Sequence, residues 1–311
     1  MAADASLERF VAYEREKTRR AISASIPSVA TLMDRSHYFD VEAIAHPVIE
    51  QFWGGPFHHS RADDSLEIPV TNLVFVQDAN GNTGSEEPES LGGGGLDLMV
   101  YELASRVYVD AVIAGSATVG SPADPEGVVL SVWHPEGVDL RMHTFGKRRH
   151  PINVVATEQG DLFVEEGLVY NNPDVEVVIL TGDRGGSRLA PRLEHRSWVH
   201  IERTGERPDL RRGFTILREK YGVAFASAVG GRRVATELLD LNLVHDLYLT
   251  TTPIVAVSPE PPTPFYLGDP LRLRQRLDLV VRKSAQSPGG EIYSEYHRVV
   301  SGEGRAGFRA A

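Results

Sequence analysis

The sequence contains no cysteine among its 311 residues. Without thiols the chain has no disulfide framework, no thiolate zinc site, no iron–sulfur cluster and no cysteine nucleophile. The eleven histidines are scattered, and the adjacent pair His58 and His59 lacks the pattern of a third ligand. We therefore predict that the protein binds no metal.

Basic residues and long apolar runs are also scarce. The chain has 32 lysines and arginines against 43 aspartates and glutamates, which gives a formal net charge of −11. Because nucleic-acid backbones are held by clustered cations, we predict no nucleic-acid partner. No run reaches the roughly 18 apolar residues that cross a bilayer. The start, MAADASLERF, lacks a basic stretch followed by an apolar one, so we expect no membrane association and a cytoplasmic protein.

The first 65 residues have the pattern of a helical extension with a linker. Apolar residues recur at roughly helical spacing in SLERFVAYEREKTRRAI, residues 6–22. A second helical candidate is VEAIAHPVIEQFW, residues 41–53, which Pro47 should kink or end. The polar, glycine-containing stretch GGPFHHSRADDS, residues 54–65, is typical of a linker.

A different pattern begins at residue 66. Short apolar, β-branched runs bounded by Gly, Pro or Asp alternate with helical patterns. The predicted strands are IPVTNLVFV, DAVIAGS, GVVLSVW, INVVAT, VEVVILTG, VAFASAV and DLYLTTTPIV. This alternation predicts an α/β fold with a mostly parallel central sheet covered by helices on both faces. Two further strand-like runs around SPGG predict antiparallel edge strands, so we assign residues 66–301 to this domain and 302–311 to a flexible tail.

The segment NGNTGSEEPESLGGGG, residues 80–95, is rich in glycine and acids. This composition is typical of a flexible loop before a helix, and a mobile flap over a ligand is the functional alternative. The sequence contains no dinucleotide-binding G-x-G-x-x-G, P-loop, G-x-S-x-G, H-E-x-x-H or EF-hand motif.

Several predicted strands are followed by small or hydroxyl residues. In open α/β sheets, ligands bind outside the carboxyl ends of the strands. Glycine lets backbone approach a ligand closely, and the start of the next helix favours a phosphate. The alternative is an ordinary strand-to-helix turn. The residues in these positions are Gly115, Thr118, Thr157, Thr181, Gly182, Gly185, Gly186, Gly230 and Gly231.

A basic cluster, Lys147 to Arg149, precedes the strand INVVA. In an acidic protein such a cluster can attract a phosphate. A solvated loop is the alternative, and the sequence does not choose between them.

Four segments, taken in order, carry a resemblance to a known family. They are TNLVFVQDANGNTG, YELASRVYVDAVIAGSATVG, RHPINVVAT and VGGRRVATELLDLNLVHDLYLTTTP. The second is similar to L-R-x-x-x-D-A-x-x-x-G-x-x-T and the fourth to E-G-G-x-x-L…L-V-D-E-L…P. The set resembles the pyrimidine reductase domain of riboflavin biosynthesis, the C-terminal half of the bacterial deaminase–reductase, over residues 68–300. The resemblance implies a dihydrofolate reductase-like three-layer fold and NADPH as cofactor.

The resemblance also implies roles for individual residues. Thr118 matches a position that contacts NADPH, and Thr157 matches a hydroxyl near the adenosine phosphate. Gly230, Gly231 and the turn after them match the segment around the nicotinamide-side pyrophosphate. The full set of implied cofactor residues is Gly115, Thr118, Thr157, Gly230, Gly231, Arg232 and Arg233.

The substrate half is less well matched than the cofactor half. Arg106 aligns with an arginine that binds a ribose phosphate, and Asp124 remains from an A-D-D-P segment with a shifted register. Asp78 and Asn80 replace the Ser and Asp of an S-L-D-G turn, and Asp78 is the candidate catalytic carboxylate. Val229 stands where the family has a glutamate. Two further departures are Asn153 in place of an arginine and His245 in place of an aspartate.

The expected function is an NADPH-dependent reductase that resembles 5-amino-6-(5-phosphoribosylamino)uracil reductase, with hydride transfer to the ribosyl C1. One alternative keeps the fold and cofactor but reduces a different substrate, such as a pterin, an imine or a carbonyl. Another is a nucleotide-binding protein without catalysis. A small-molecule substrate and a homodimer are expected from the resemblance alone.

Overall fold

The computed structural model describes residues 2–23, 29–39, 41–62, 66–79, 96, 100–255, 278–290 and 292–300. Its α-helices are α1 (Ala2–Ser23), α2 (Pro47–Trp53), α3 (Ser116–Val119), α4 (Pro135–Asp139), α5 (Asp183–Leu193), α6 (Leu210–Tyr221) and α7 (Arg232–Asp240). Within these ranges, no helix is both long and apolar enough to cross a membrane.

The strands of the same ranges are β1 (Ala30–Asp34), β2 (Val41–Ile44), β3 (Phe57–Ser60), β4 (Val70–Gln77), β5 (Ala111–Gly115), β6 (Ile152–Ala156), β7 (Val177–Thr181), β8 (Val199–Arg203), β9 (Phe225–Gly230), β10 (Asp246–Thr251), β11 (Asp278–Gln286) and β12 (Tyr293–Val300). Short 3₁₀ or π-helical turns lie at Ser36–Tyr38, Leu103–Val107, Leu140–Thr144 and Leu168–Asn171.

The chain divides into two compact units. The first comprises Met1–Ala24, Asp64–Pro69 and Ser105–Leu243, and the second comprises Ser25–Asp63, Val70–Ala104 and Val244–Ala311. The N-terminal 65 residues are therefore not a separate extension, because α1 belongs to the first unit and residues 25–63 belong to the second. The predicted tail, 302–311, and the glycine-rich segment, 80–95, lie outside the described residues.

The first unit contains a parallel sheet in the order β9-β5-β6-β7-β8. Every residue of β5 and β7 is buried. Strands that are covered on both faces lack the polar alternation of half-exposed strands, which is why AVIAG and VVILT are apolar throughout. The predicted α/β fold with a mostly parallel sheet is confirmed.

Helices cover both faces of this sheet. Ile179 of β7 shares an apolar cluster with Phe10 of α1 and Leu189 of α5. Leu180, the next residue, points to the opposite face because side chains alternate along a strand. There it meets α6, where a Cβ atom added to Gly213 would lie 2.8 Å from Leu180 Cδ1.

The second unit is built on a mixed sheet in the order β1-β11-β12-β10-β4. Strands β4 and β10 are parallel, and the other neighbours are antiparallel. The predicted closing hairpin is confirmed as β11 and β12. Strand β1, which the sequence pattern did not predict, pairs with β11.

The helix predicted over residues 41–53 is only half right. Val41–Ile44 is strand β2, and the helix begins at Pro47. Proline fits the first helical position because its missing N–H is not needed there. His46 caps the helix, since its Nδ1 accepts a hydrogen bond from Val48 N at 3.3 Å.

The predicted linker at 54–65 is wrong, because it contains β3, which pairs with β2. Residues of this region and the end of α2 cover two cations of β11. Arg282 donates to the His58 carbonyl at 2.9 Å, and Lys283 donates to the Trp53 carbonyl at 2.7 Å. Both side chains are almost wholly buried, so the second unit needs this covering segment.

The predicted strand GVVLSVW, residues 127–133, joins no ladder. The side chain of Asn153 on β6 ties it to the sheet. The Asn153 amide accepts from Leu130 N at 2.8 Å and donates to the Leu130 carbonyl at 3.1 Å. The Asn153 side chain therefore makes the two hydrogen bonds that the backbone of a neighbouring strand would make. This role accounts for asparagine at a position where the family has an arginine.

Helix α5 and strand β8 were not predicted from the sequence. Gly185, Gly186 and Pro191 hide the helical pattern of α5. A Cβ atom on Gly185 would lie 2.1 Å from Thr181 Oγ1, and one on Gly186 would lie 2.5 Å from Arg203 Nε. Both glycines therefore serve the packing of α5 on the sheet, which favours a structural role for this glycine-rich turn over a ligand wall.

Candidate functional site

The carboxyl ends of β9, β5, β6 and β7 form one edge of the first unit's sheet. In the strand register Ala114 pairs with Gly230, and Gly115 with Ala156. Ala156 in turn pairs with Leu180. The glycine turn after β9, the turn after β5 and Thr157 after β6 therefore lie in a row, as the strand-end rule predicts.

Two of these turns approach each other through glycine backbone. Gly231 has φ +85°, and a Cβ atom there would lie 3.3 Å from Gly115 N. A Cβ atom on Gly115 would lie 3.3 Å from Cγ2 of Val234 on α7 and 3.8 Å from the Cα of Gly231. A larger residue at Gly231 would be strained by its positive φ. Glycine at these positions lets the two backbones approach each other closely at the sheet edge.

Gly230 lies directly against Thr118 of α3. A Cβ atom on Gly230 would be 2.6 Å from Thr118 Cγ2 and 2.8 Å from Thr118 Oγ1. The sequence predicted these two residues separately as cofactor contacts, and the structure brings them together. The Thr118 hydroxyl is therefore positioned at the turn between β9 and α7.

Helix α7 starts at this same turn, with Gly231 as its N-cap. Its first backbone bond runs from Ala235 N to the Gly231 carbonyl at 3.0 Å. The N–H groups of the three preceding helical residues have no acceptor one turn back, and the helix dipole is positive at this end. Arg232 and Arg233 are the first two residues of α7, and the Arg233 side chain is exposed. An anion would be stabilised here.

Thr157 lies in the same row but turns into its own loop. Its side chain is 7% exposed, and its Oγ1 accepts a hydrogen bond from Gly160 N at 3.2 Å. A Cβ atom on Gly160 would be 2.8 Å from the Gly185 carbonyl, so this loop packs on the start of α5. Thr157 therefore stabilises the loop at this edge of the sheet. The Oγ1 lone pair that accepts from Gly160 N is not available to a ligand.

Arg106 is not brought to this edge. Its Nη1 donates to the Ser131 carbonyl at 2.9 Å. Its own carbonyl, with that of Val109, accepts from the buried Arg141 at 2.8 and 2.7 Å. Arg106 and Val109 precede the first residue of β5, and their partners Ser131 and Arg141 precede β6. They lie at the amino ends of the strands, opposite the glycine turns.

The basic cluster also lies at the amino ends, and its three cations have acidic partners. Lys147 pairs with Asp110, Arg148 with Glu176 and Arg149 with Glu14. Asp110 also accepts from Ala224 N and Phe225 N at 2.9 Å each, which ties the starts of β5 and β9 together. These pairs favour the alternative of a structural cluster over a phosphate site.

Asp124 and Val229 have structural contacts in the first unit. Asp124 Oδ1 accepts from Gly127 N at 3.1 Å within an exposed turn. Val229 packs against the apolar cluster of the sheet. Val229 carries no charge, and one Asp124 carboxylate oxygen is bound by the backbone of its own turn.

Asp78 belongs to the second unit. It follows β4 directly and is 1% exposed. The strand end is fixed on both sides of it, because Thr252 N donates to the Gln77 carbonyl and Ala79 N donates to the Ile254 carbonyl, each at 3.0 Å. Asn80 lies outside the described residues.

A cleft of about 500 Å³ continues along the edge, and it was not predicted from the sequence. Its walls follow β5, β6 and β7: Ser116, Ala117, Gly120, Ser121, Pro122, Asp161, Leu162, Phe163, Glu165, Glu166, Arg188 and Arg192. The only signal in the sequence was that these residues follow successive strands.

Ion pairs cross the cleft wall between α5 and the 161–166 segment. Arg192 makes two bonds to Glu165, Nε to Oε1 at 2.8 Å and Nη2 to Oε2 at 2.5 Å. Arg188 pairs with Asp161. The Arg192 guanidinium lowers the pKa of Glu165, so this carboxyl stays charged at neutral pH. In the part of the chain that the structure describes, no group of three potential metal-ligating side chains was found.

No protein-family model matches the chain, and no curated protein matches its sequence. Solved structures do match. A pyrimidine reductase-like protein from Corynebacterium diphtheriae is 18% identical with a TM-score of 0.58, over 75% of this chain and 92% of that one. RibD of Acinetobacter baumannii, in its form 1, is 16% identical with a TM-score of 0.52, over 76% of this chain and 59% of that one. At this identity the likeness shows a shared fold, which confirms the fold that the resemblance implied.

Proposed function

We propose that the chain is a reductase that holds a reduced nicotinamide dinucleotide across the turns after β9 and β5. The observation that carries this proposal is the paired glycine turn, in which Gly231 approaches Gly115 and α7 begins. The fold shared with a pyrimidine reductase-like protein supports it. The resemblance implies NADPH as the form of the dinucleotide and a pyrimidine with a phosphoribosylamino group as the substrate.

The residues present fit a pyrophosphate at this turn. A Cβ atom at Gly231 would lie 3.3 Å from Gly115 N, so the two backbones approach this closely because Gly231 carries no side chain. The first N–H groups of α7 would bind the phosphate oxygens, and the helix dipole would stabilise their charge. Thr118 would orient the pyrophosphate through its hydroxyl. When bound, the dinucleotide supplies the hydride.

Arg233 would add a positive charge at the start of α7, and Thr157 would define the adenosine side of the edge. Both assignments come from the resemblance, and the positions of the two residues in the first unit are compatible with them. Asp78 stays a prediction as the catalytic carboxylate, and Asp124 stays a prediction as a substrate residue.

A second candidate keeps the cofactor and changes the acceptor. Arg106, the expected ligand of the ribose phosphate, donates to a backbone carbonyl at the amino ends of the strands. Val229 brings an apolar side chain where the family has a glutamate. Both observations favour an acceptor other than the phosphoribosylamino pyrimidine, such as a pterin, an imine or a carbonyl.

The test has two stages, and the first is binding. NADPH and NADH are titrated separately into the full chain, followed by cofactor fluorescence. We expect saturable binding of at least one of them. If neither binds, the proposed function is wrong.

The second stage is turnover with the deaminated pyrimidine intermediate of riboflavin biosynthesis, followed by loss of reduced-nicotinamide absorbance. Turnover supports the first candidate. Binding without turnover of this substrate, but with turnover of a pterin, imine or carbonyl, supports the second. Binding without turnover of any of them supports the non-catalytic nucleotide-binding alternative.

The homodimer expected from the resemblance is also testable. Within the second unit the outer edge of the terminal hairpin is already paired, because β1 covers β11. A dimer that forms through β11 would have to displace β1. Sedimentation of the full chain would give its oligomeric state. The cytoplasmic location stays a prediction, which fractionation of the source cells would test.

A further inference from the structure

The cleft next to the glycine turns bears on which dinucleotide the protein takes. Its first wall residues, Ser116 and Ala117, lie between Gly115 and Thr118, where the pyrophosphate is proposed. The other walls follow β6 and β7. A dinucleotide whose pyrophosphate sits at the turns after β9 and β5 therefore has one nucleoside on the cleft side.

In the proposed function this is the adenosine half, because Thr157 marks the adenosine side of the edge. A cleft of about 500 Å³ is in the range of pockets that hold small ligands. Leu162 and Phe163 supply an apolar wall for a base, and the charged residues surround them. The cleft is thus suited in size and lining to a nucleoside.

The charges of the cleft decide between a ribose diol and a ribose 2′-phosphate. Three carboxylates line it, Asp161, Glu165 and Glu166, against the guanidinium groups of Arg188 and Arg192. Each arginine is paired with one of these carboxylates, Arg188 with Asp161 and Arg192 with Glu165. For Glu166 the described residues show no cation within ion-pair distance. The lining has a formal net charge of −1, and the arginines are not available without uncovering an acid.

A 2′-phosphate carries nearly two negative charges at neutral pH. The Arg188–Asp161 pair is exposed, so a phosphate could separate it at little cost. Asp161 would nevertheless remain in the same cleft and would repel the phosphate, as would Glu166. A ribose diol, in contrast, donates hydrogen bonds to a carboxylate, which is how NAD-binding sites recognise the 2′-hydroxyl.

We infer that this cleft selects the unphosphorylated ribose, so that the protein binds NADH in preference to NADPH. The inference rests on the proposed function, and it corrects the cofactor form that the resemblance implies. Asp161 and Glu166 are the residues that set the preference.

The test compares dissociation constants of NADH and NADPH by fluorescence titration, without any substrate. We expect NADH to bind about tenfold or more tightly than NADPH, the discrimination that one carboxylate–phosphate repulsion supplies. In Asp161→Asn, which frees Arg188, and in Glu166→Gln, the ratio of the two constants should shift about tenfold toward NADPH. Asp139→Asn makes the same charge change at an exposed site outside the cleft and should leave the ratio unchanged.

The outcomes separate the two proposals. If neither dinucleotide binds, the proposed function fails. If NADPH binds more tightly than NADH, the proposed function stands and the selection of NADH is overturned. If NADH is preferred but neither cleft variant shifts the ratio, the cleft is not the ribose site and the inference is also overturned. Thermal unfolding of each variant establishes whether it is folded. If Asp161→Asn does not fold, the test is made with Glu166→Gln alone.

Discussion

Gly230 and Thr118 are packed so closely that no side chain fits between them: a Cβ atom on Gly230 would lie 2.6 Å from Thr118 Cγ2. The two residues are far apart in sequence but meet where β9 and β5 end. Their contact fixes the position of the hydroxyl that we propose for pyrophosphate binding.

Replacing Gly230 by alanine should therefore push Thr118 out of position. We expect Gly230→Ala to destabilise the protein by about 1–3 kcal/mol, the usual cost of overpacking, and to weaken dinucleotide binding. Thr118→Ala removes the two nearest atoms, so the double variant should recover much of the stability but not the affinity. Urea unfolding and cofactor titration measure both effects, and simple additivity of the two single changes would show that the contact does not matter.

Gly231 is constrained by its own backbone as well as by its neighbour. With φ +85° and Gly115 N at 3.3 Å from a Cβ atom, Gly231→Ala should cost about 1–3 kcal/mol and lower dinucleotide affinity about tenfold or more. Gly222 is a matched control, because it has φ +66° but no atom within 4 Å of a Cβ. Gly222→Ala should lose stability and keep its affinity. Equal affinities in the two variants would contradict the assignment of the turn.

Much of this edge was predictable because its determinants are local. The apolar runs of β5 and β7 follow from burial of these strands on both faces. The periodic pattern of α7 follows from burial of the helix on one face. Once those strands are parallel, Gly115, Thr157 and Gly230 must end at one edge. The order of the segments then pointed to the turn at Gly231 without any knowledge of its φ angle.

The features that were missed depend on contacts between distant segments. Residues 127–133 look like a strand, but the Asn153 side chain takes the place of a ladder partner, and no local pattern encodes that. Helix α5 was hidden by Gly185, which packing against Thr181 requires. The cleft was missed because its arginines are held by ion pairs with acidic residues that lie about 27 positions away in the sequence.

The buried His150 should make the first unit sensitive to acid. Burial lowers the pKa of His150 to about 4; Arg149 and Arg141 add to this, while Glu14 and Asp174 partly offset it. The ring stays neutral in the folded state, whereas in the unfolded chain it is protonated below about pH 6.5.

Stability is therefore lost as the pH falls from about 6.5 toward 4, by about 2–3 kcal/mol at pH 4.5. His150→Asn keeps an atom near Nδ1 for the contact with Ser131 but does not titrate. Its free energy of unfolding should be lower at pH 7 and fall less steeply toward pH 4.5. Parallel curves for the two proteins would rule out His150 as the source.

The N-terminal helix should be essential for folding of the first unit. Phe10 is 3% exposed within the apolar cluster, and the Tyr13 hydroxyl accepts from Val129 N at 3.2 Å. Phe10→Ala should cost about 3–5 kcal/mol, as for other buried aromatic residues. Leu7→Ala, on the same helix but 44% exposed, is the control and should cost far less.

Deletion of residues 1–65 should accordingly give an insoluble or unfolded product. The deletion removes α1 from the first unit and the covering segment from the second. A folded fragment of residues 66–311 with unchanged dinucleotide affinity would show instead that the N-terminal region is peripheral.

Lys283 gives the second unit a pH dependence of the same sign as that of His150, but in an alkaline range. Burial lowers the pKa of Lys283 to about 8, and the nearby Asp34 only partly offsets this. In the unfolded chain the amine keeps its proton to about pH 10.4. Between these values the unfolded state binds more protons, so the stability due to this group rises as the pH increases from about 8 to 10.4.

Replacing Lys283 by methionine removes the charge and keeps the length of the side chain. We expect Lys283→Met to be as stable as the wild type or more stable at pH 7.5, because its buried charge is gone. Its advantage over the wild type should shrink by about 2–3 kcal/mol by pH 10. Urea unfolding at the two pH values measures the difference. A variant that is destabilised equally at both would mean that the bond from Lys283 to the Trp53 carbonyl outweighs the cost of burying the charge.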